Sequence, residues 1–327
     1  MASNTSDFNF NKSLQGMKTE TIILSSIWLP LFVLGFIGNV LVTLTVLKTK
    51  TFHLPIYYLL ASMAVSDAIS TLSSIAYLLF QLLYAYLDMP LAIKTWTCQF
   101  NLVIIYLSYY TSTHTLTFLS VDRYYAIVHN YQVLKNSRKT KLVIIATWAL
   151  GLGISIPMIE ISGVSPLFPF ICDYIYISTV FGRIYISILF LTEVIIPFII
   201  MTYYYIRTYR YMKQQVKEIS SICDNDKVEK QKKDAMKMLV TVTVVFISFS
   251  FLFHITKMVM AITARTMIDV YLYDIPNVYL YGDGLGVLLN LINPILYCLS
   301  SRSFREAMLN AVRVKVTRND IVRSITI

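Results

Sequence analysis

The sequence predicts an all-α membrane protein: a seven-transmembrane helix bundle followed by a short amphipathic helix on the inner face. Three observations predict it. First, 56 % of the 327 residues are hydrophobic and only 14 % are charged, whereas soluble domains carry about 25 % charged residues. Second, the charges avoid seven long runs. Thr21 to Leu47, Thr95 to Val121, Leu142 to Ile159, Met238 to Thr256 and Gly284 to Ser301 hold none, Thr51 to Leu87 holds only Asp67, and Ile184 to Ile206 only Glu193. Roughly 20 apolar residues of helix cross a ~30 Å hydrocarbon core. Third, the runs are apolar on every side. Barrel strands alternate in ~10-residue segments, whereas these runs suit helices whose backbone groups are satisfied internally.

Residues 1–20 form the predicted outer N-terminal segment, 21–300 the seven-span domain, and 301–327 the amphipathic helix and inner tail. Lys and Arg set the orientation: twenty-two of the 28 fall in links on the C-terminal tail's side of the membrane. The positive-inside rule then places the N-terminus outside. An anionic leaflet accounts for the net charge of +10 without a nucleic-acid partner. The outer segment carries two glycosylation sequons, at Asn4 and Asn11. No apolar stretch precedes Thr21, so the first span is expected to serve as its own uncleaved signal.

Cys98, at the outer start of span three, and Cys172, in the loop after span four, both face an oxidising compartment, and a disulfide between them is expected. Cys223 and Cys298 fall on the reducing side. Within the spans, ionisable groups are functional candidates by default. Asp67 lies mid-span in helix two, with Ser112, Asn290 and Asn293 at similar depth. One carboxylate among three neutral oxygen donors suits a sodium ion, and equally a hydrogen-bond network without one; no other cofactor or metal is expected. Asp122-Arg123 closes span three 25 residues after Cys98, or ~37 Å along a helix, so the arginine and the disulfide occupy opposite faces. A guanidinium beside a carboxylate at a helix end can hold an internal ion pair, then turn to a docking partner.

In the outer half, Glu193 lies one turn before Pro197, His254 and Lys257 share a helix face, and Asp283 precedes Pro294 by about three turns. These charges either anchor ligand or pair internally, Glu193 with His254 and Lys257 with Asp283. Tyr109 and Tyr110 are further lining candidates. Scattered histidines (His53, His114, His129, His254) and the lack of a close cysteine pair argue against an enzyme, and the lack of repeated halves argues against a transporter.

Further marks recur along the chain: Gly38-Asn39 with Val40-Leu41-Val42, Met63-Ala64-Val65-Ser66-Asp67, Asp122-Arg123-Tyr124 with Ala126-Ile127-Val128, Trp148 and Pro157, Pro197 and Tyr205, Asn293-Pro294-Ile295-Leu296-Tyr297, and Ser303-Phe304-Arg305. Together these resemble the rhodopsin-like (class A) G-protein-coupled receptors. Asn293 to Met308 and Lys237-Met238-Leu239-Val240 look most like the peptide-receptor branch.

The resemblance implies a multi-pass plasma-membrane receptor that binds an extracellular peptide and activates a heterotrimeric G protein through movement of helices five and six. Arg123, with Asp122 and Tyr124, would be the switch, and Tyr205 and Tyr297, in the Asn293-Pro294 segment, would converge on it through water. Asp67, Ser112 and Asn293 would frame an allosteric sodium site, and the Cys98–Cys172 bond would pin the second outer loop over the ligand cavity. Monoamine ligands are disfavoured, because Ile105 stands where their receptors carry aspartate; opsin chemistry is disfavoured because Asp274 to Ser301 contains no lysine.

Helix six departs from the pattern. The family's tryptophan and proline positions hold Ser250 and Leu252, and Lys232 stands where an acidic latch is common, with Asp234 two residues on. A straighter helix six, a weakened lock and basal signalling are expected. The alternatives are an atypical or decoy receptor with weak or constitutive coupling, and a receptor for a small non-amine ligand. The tail offers only Thr317, Ser324 and Thr326 for phosphorylation, and the long inner loop adds Ser220 and Ser221, so weak arrestin recruitment is expected.

Overall fold

The computed structural model describes residues 2–131, 133–134, 136–166, 168–219, 226–266, 278–300 and 302–312. Helix α1 (Ala2–Lys48) runs well beyond the expected start of span one; its membrane-length part is Thr21–Lys48. The side chains of Asn4 and Asn11 lie outside the described set, as do those of Lys232, Asp234 and Asp283 and the residues Ser220, Ser221, Cys223, Thr317, Ser324 and Thr326. Helix α2 (Pro55–Tyr86) opens on proline, whose missing N–H is an orphan at a first turn anyway. Helix α3 (Leu91–Val128) follows. Helix α4 (Ser137–Ser155) is capped by Asn136, whose side chain accepts from the Arg138 N–H at 2.9 Å, the standard use of Asn at that position.

After the single turn α5 (Met158–Ile161), the chain forms an antiparallel hairpin, β1 (Gly163–Val164) against β2 (Cys172–Asp173), with Val164 opposite Cys172. Span five is built from α6 (Val180–Phe190), a π-turn at Leu191–Ile195 and α7 (Ile196–Ile219). Proline explains the π-turn. Pro197 has no N–H to give the Glu193 carbonyl four residues back, so the ladder widens just before it. Span six is α8 (Asp226–Thr263), with no proline inside. Span seven is α9 (Val278–Ser300), which contains Pro294, and α10 (Arg302–Val312) completes the chain's described part.

Five of the described helices are individually long and apolar enough to cross a membrane: Thr21–Lys48, Pro55–Tyr84, Ser137–Ile161, Val180–Gln214 and Val240–Thr263. Helix α3 is long but is not among them, for a physical reason. It is the axis of the bundle, packed against α2, α4, α7 and α8, and it buries Ser108, Thr111, Ser112, Thr113, Thr115 and Ser120. The outward faces are the opposite: Leu142, Ile145 and Leu150 on α4 stand exposed, as lipid-facing side chains do.

The ring closes between α1 and α9. Asn39 donates its amide both to Gly35 O (3.0 Å) and across to Asn290 O (2.7 Å). Gly38 permits the approach, since a Cβ there would sit 3.2 Å from the Pro294 ring. Helix α10 is amphipathic as expected. Phe304 is buried on Tyr297 and Phe52, at ring distances of 5.9 and 5.3 Å, while Arg302 and Glu306 pair at 2.8 Å on its exposed side.

Candidate functional site: a switch, a buried carboxylate and a ligand end

At one end of α3, Asp122 is buried and does two jobs. Its Oδ1 accepts the Leu134 N–H at 3.1 Å, pinning the following loop, and its Oδ2 holds the Arg123 guanidinium through Nε (3.2 Å) and Nη2. Tyr124 packs on Tyr204 of α7 and on His129, at ring distances of 5.1 and 5.3 Å. The expected convergence of Tyr205 and Tyr297 on the arginine is one through water; among the described residues no direct hydrogen bond joins either tyrosine to Arg123. The Tyr205 hydroxyl pairs with Thr243 Oγ1 at 2.9 Å, bridging α7 to α8. Tyr297 lies edge-on to Phe304, and its hydroxyl meets no hydrogen-bond partner among the described residues.

Midway along the bundle, Asp67 is fully buried. Its Oδ1 accepts from Ser108 (2.9 Å) and Ser112 (3.3 Å), and its Oδ2 from the Asn293 amide (2.8 Å). Ser108 was not singled out from sequence, although its place four residues before Ser112 puts it on the same face of α3. Asn290 makes no hydrogen bond to Asp67 among the described residues. Its side-chain amide donates to Ser70 Oγ at 2.9 Å and its backbone carbonyl accepts from Asn39, so it braces α9 against α2 and α1. Among the described residues no cationic side chain pairs with Asp67. Burying a lone carboxylate is costly, and three neutral donors offset only part of that. The hydroxyl oxygens of Ser108 and Ser112 and the carboxylate are hard donors that fit a small cation such as sodium. No group of three or more His, Cys, Asp or Glu suited to another metal occurs among the described residues.

At the far end, the Cys98–Cys172 disulfide joins the start of α3 to β2, with Cα atoms 5.3 Å apart. The Cys172 N–H donates to the Tyr77 hydroxyl at 3.1 Å, so the hairpin is tied to α2 as well. Beneath it, Lys257 is 1 % exposed, with Nζ 4.0 Å from the Tyr174 ring centre and 5.3 Å from that of Phe253, both in cation–π range. Phe253 stacks on Tyr109 (5.0 Å) and touches Tyr106 (5.6 Å). His254 bonds its own helix through Nδ1 to Ser250 O at 2.8 Å, with Tyr109 edge-on, and Ile105 of α3 is buried in the core.

The expected Glu193–His254 pair is absent. Glu193, 2 % exposed, has His114 Nδ1 of α3 at 3.8 Å instead. Glu193 sits in the π-turn, with its carboxylate set toward His114 of α3 and not paired with His254 of α8. Tyr77, Tyr106 and Phe253 were missed from sequence because aromatics in apolar spans carry no distinguishing signal, and Tyr174 because it lies in the loop just after β2, whose path the sequence does not show.

This arrangement, one long polar-faced helix with an ion-paired arginine at one end and a disulfide-tied hairpin at the other, is that of a seven-helix receptor. Residues 38–297 match the family model of the seven-transmembrane receptors of the rhodopsin family, and the chain belongs to that family: it is a multi-pass membrane receptor and not an enzyme. Mouse neuromedin-U receptor 2 is 26 % identical over 304 residues, covering 88 % of this chain and 74 % of that receptor. A QRFP-like peptide receptor of Branchiostoma floridae is 23 % identical over 328 residues, covering 93 % and 80 %. The high-affinity lysophosphatidic acid receptor of Xenopus laevis is 25 % identical over 314 residues, covering 88 % and 81 %.

Proposed function

We propose that this chain binds an extracellular peptide at its disulfide end and, through Arg123, drives nucleotide exchange on a heterotrimeric G protein at the other. The observation that carries the reading is the span of α3, which joins the hairpin above Lys257 directly to the Asp122-held arginine. The asymmetry of Lys and Arg supports an outer N-terminus and a plasma-membrane location. The identities of two relatives support a peptide ligand, and Lys257, set against the Tyr174 and Phe253 rings beside the disulfide-tied hairpin, is the side chain proposed to meet it. On agonist binding, Arg123 leaves Asp122 and donates to the docked G protein; charge-assisted bonds of this kind are the strong ones. Asp67 with Ser108, Ser112 and Asn293 would hold a sodium ion, whose charge would compensate the buried carboxylate.

A second reading rests on the same lysine and on the lysophosphatidic acid receptor among the relatives: a small anionic lipid as ligand. One screen separates them. Cells expressing the chain with a promiscuous G protein are challenged with a neuropeptide library and, in parallel, with lysophospholipids. A peptide hit is expected, lost in Arg123→Ala at equal surface expression. Lysophospholipid hits alone would establish the second reading. Saturable peptide binding without exchange on any purified G protein would mark a decoy.

A further inference from the structure

The buried carboxyl of span five lacks what the buried carboxyl of α2 has. Asp67 receives three donors. The Glu193 side chain is fully buried, yet neither Oε1 nor Oε2 accepts a hydrogen bond among the described residues. The basic group that approaches it, His114 Nδ1, stands at 3.8 Å, beyond hydrogen-bond reach. That nitrogen lies 2.8 Å from Tyr110 O of its own helix. A ring nitrogen so close to a carbonyl oxygen must carry a proton, and directs it there.

The other groups around the carboxyl are neutral or engaged elsewhere. On α3, Tyr110 and Thr113 stand beside it, and their buried hydroxyls have no hydrogen-bond partner among the described residues. On α6, Tyr185 is near, with its hydroxyl already donating to Ile154 O at 2.7 Å. Helix α8 also packs on the π-turn. Its His254 bonds Ser250 O, and its Lys257 lies against the Tyr174 and Phe253 rings. An ionised carboxylate at Glu193 would therefore have neither a donor nor a hydrogen-bonded cation, a costly burial. A carboxylic acid needs only one acceptor for its O–H, and the Tyr110 and Thr113 oxygens both offer one.

We propose that Glu193 is a proton-binding site: it carries a proton in this conformation, donates it to the Thr113 or Tyr110 hydroxyl, and releases it to water when span five shifts. The π-turn at Leu191–Ile195 is the place for such a shift, because its widened turn already departs from the regular ladder. Movement of α7 against α3 there hydrates the carboxyl, and the hydrated form ionises. Alkaline pH thus favours the moved span, and acid the packed one. This link to signalling rests on the exchange activity proposed above; the protonation itself does not.

The full-length receptor is compared with Glu193→Gln, a neutral amide of the same shape. In phosphatidylcholine liposomes at about pH 7, their infrared difference should contain the carbonyl stretch of a protonated carboxylic acid, in the presence and absence of His114→Gln. A band that appears only with His114→Gln would reveal an ion pair and overturn the proposal, as would a band in neither background. In detergent, Glu193→Gln should melt higher than the unmutated receptor, since only the unmutated chain must bind a proton to fold. The margin should widen by about 2 °C per pH unit between about pH 6 and 8, and a constant margin would contradict the site. Agonist-free nucleotide exchange on purified G protein, divided by that of Glu193→Gln at each pH, should rise about threefold from about pH 6.5 to 8. A flat ratio would overturn the coupling to span five. No exchange from any variant would sink the signalling activity, while the infrared band would still decide the proton site.

Discussion

Asp67 and Glu193 are both carboxylates buried in spans, yet their surroundings assign them different work. Asp67 gathers three donors from α3 and α9 and so links the helix that ends in Arg123 to the one that ends in Tyr297. If sodium is its counterion, the purified receptor will melt several degrees higher in sodium chloride than in choline chloride, and Asp67→Asn will erase the difference. Equal melting of the unmutated receptor in both salts would remove sodium from the site. Glu193 faces His114, whereas Lys257 lies against the Tyr174 and Phe253 rings. Glu193→Gln should therefore leave agonist potency within about twofold, whereas Lys257→Met should lower it at least tenfold, the scale of a lost charged hydrogen bond. Equal losses in both variants would mean that α6 and α7 sit differently when ligand is bound.

At the scale of elements, the lock on Arg123 is built within α3 and its following loop. Asp122 receives the Leu134 N–H and the guanidinium together, so loop and arginine share one anchor. Asp122→Asn keeps the loop bond but weakens the pairing with Arg123. It should raise agonist-independent exchange severalfold over the unmutated receptor, measured as nucleotide uptake by purified G protein at matched receptor amounts. An unchanged rate would shift the lock to α8, where the side chains of Lys232 and Asp234 lie outside the described set. The bridge from Tyr205 to Thr243 is a second restraint between α7 and α8, and it too must break before the tyrosine can approach Arg123.

For the whole molecule, the disulfide tests how independent the two ends are. It closes a loop of 74 residues, for which the chain-entropy estimate is about 4 kcal/mol, an upper bound here because the intervening helices stay ordered in lipid. Cys98→Ser with Cys172→Ser should lower the melting temperature and abolish agonist potency while leaving Asp122→Asn-driven exchange in place. Loss of that exchange as well would show that the hairpin supports the entire bundle.

Much of this organisation is legible in the sequence because lipid imposes a coarse rule: charge-free runs of the right length become spans, and the Gly38-Asn39, Asp122-Arg123-Tyr124 and Asn293-Pro294 marks place them in a known family. What could not be read is where neighbours decide the outcome. The hairpin at Gly163–Val164 and Cys172–Asp173 has strands of two residues, too short to show alternation. The π-turn follows from Pro197, but its effect on Glu193 depends on what α3 presents there. Ser108 donates to Asp67 while Asn290, at similar depth, donates to Ser70, and one-dimensional depth cannot resolve that.

Helix α8 invites a mechanical reading. Its 38 residues without proline form a rod about 57 Å long, and a rod without a joint is a lever whose gain depends only on its fulcrum. Phe253, wedged against Tyr106 and Tyr109, stands about 6 Å along the axis from Lys257 and about 40 Å from Asp226. With that fulcrum, a 1 Å displacement at the lysine sweeps the far end through about 7 Å. A kinked helix spends part of its stroke on bending; a straight one would deliver the whole of it.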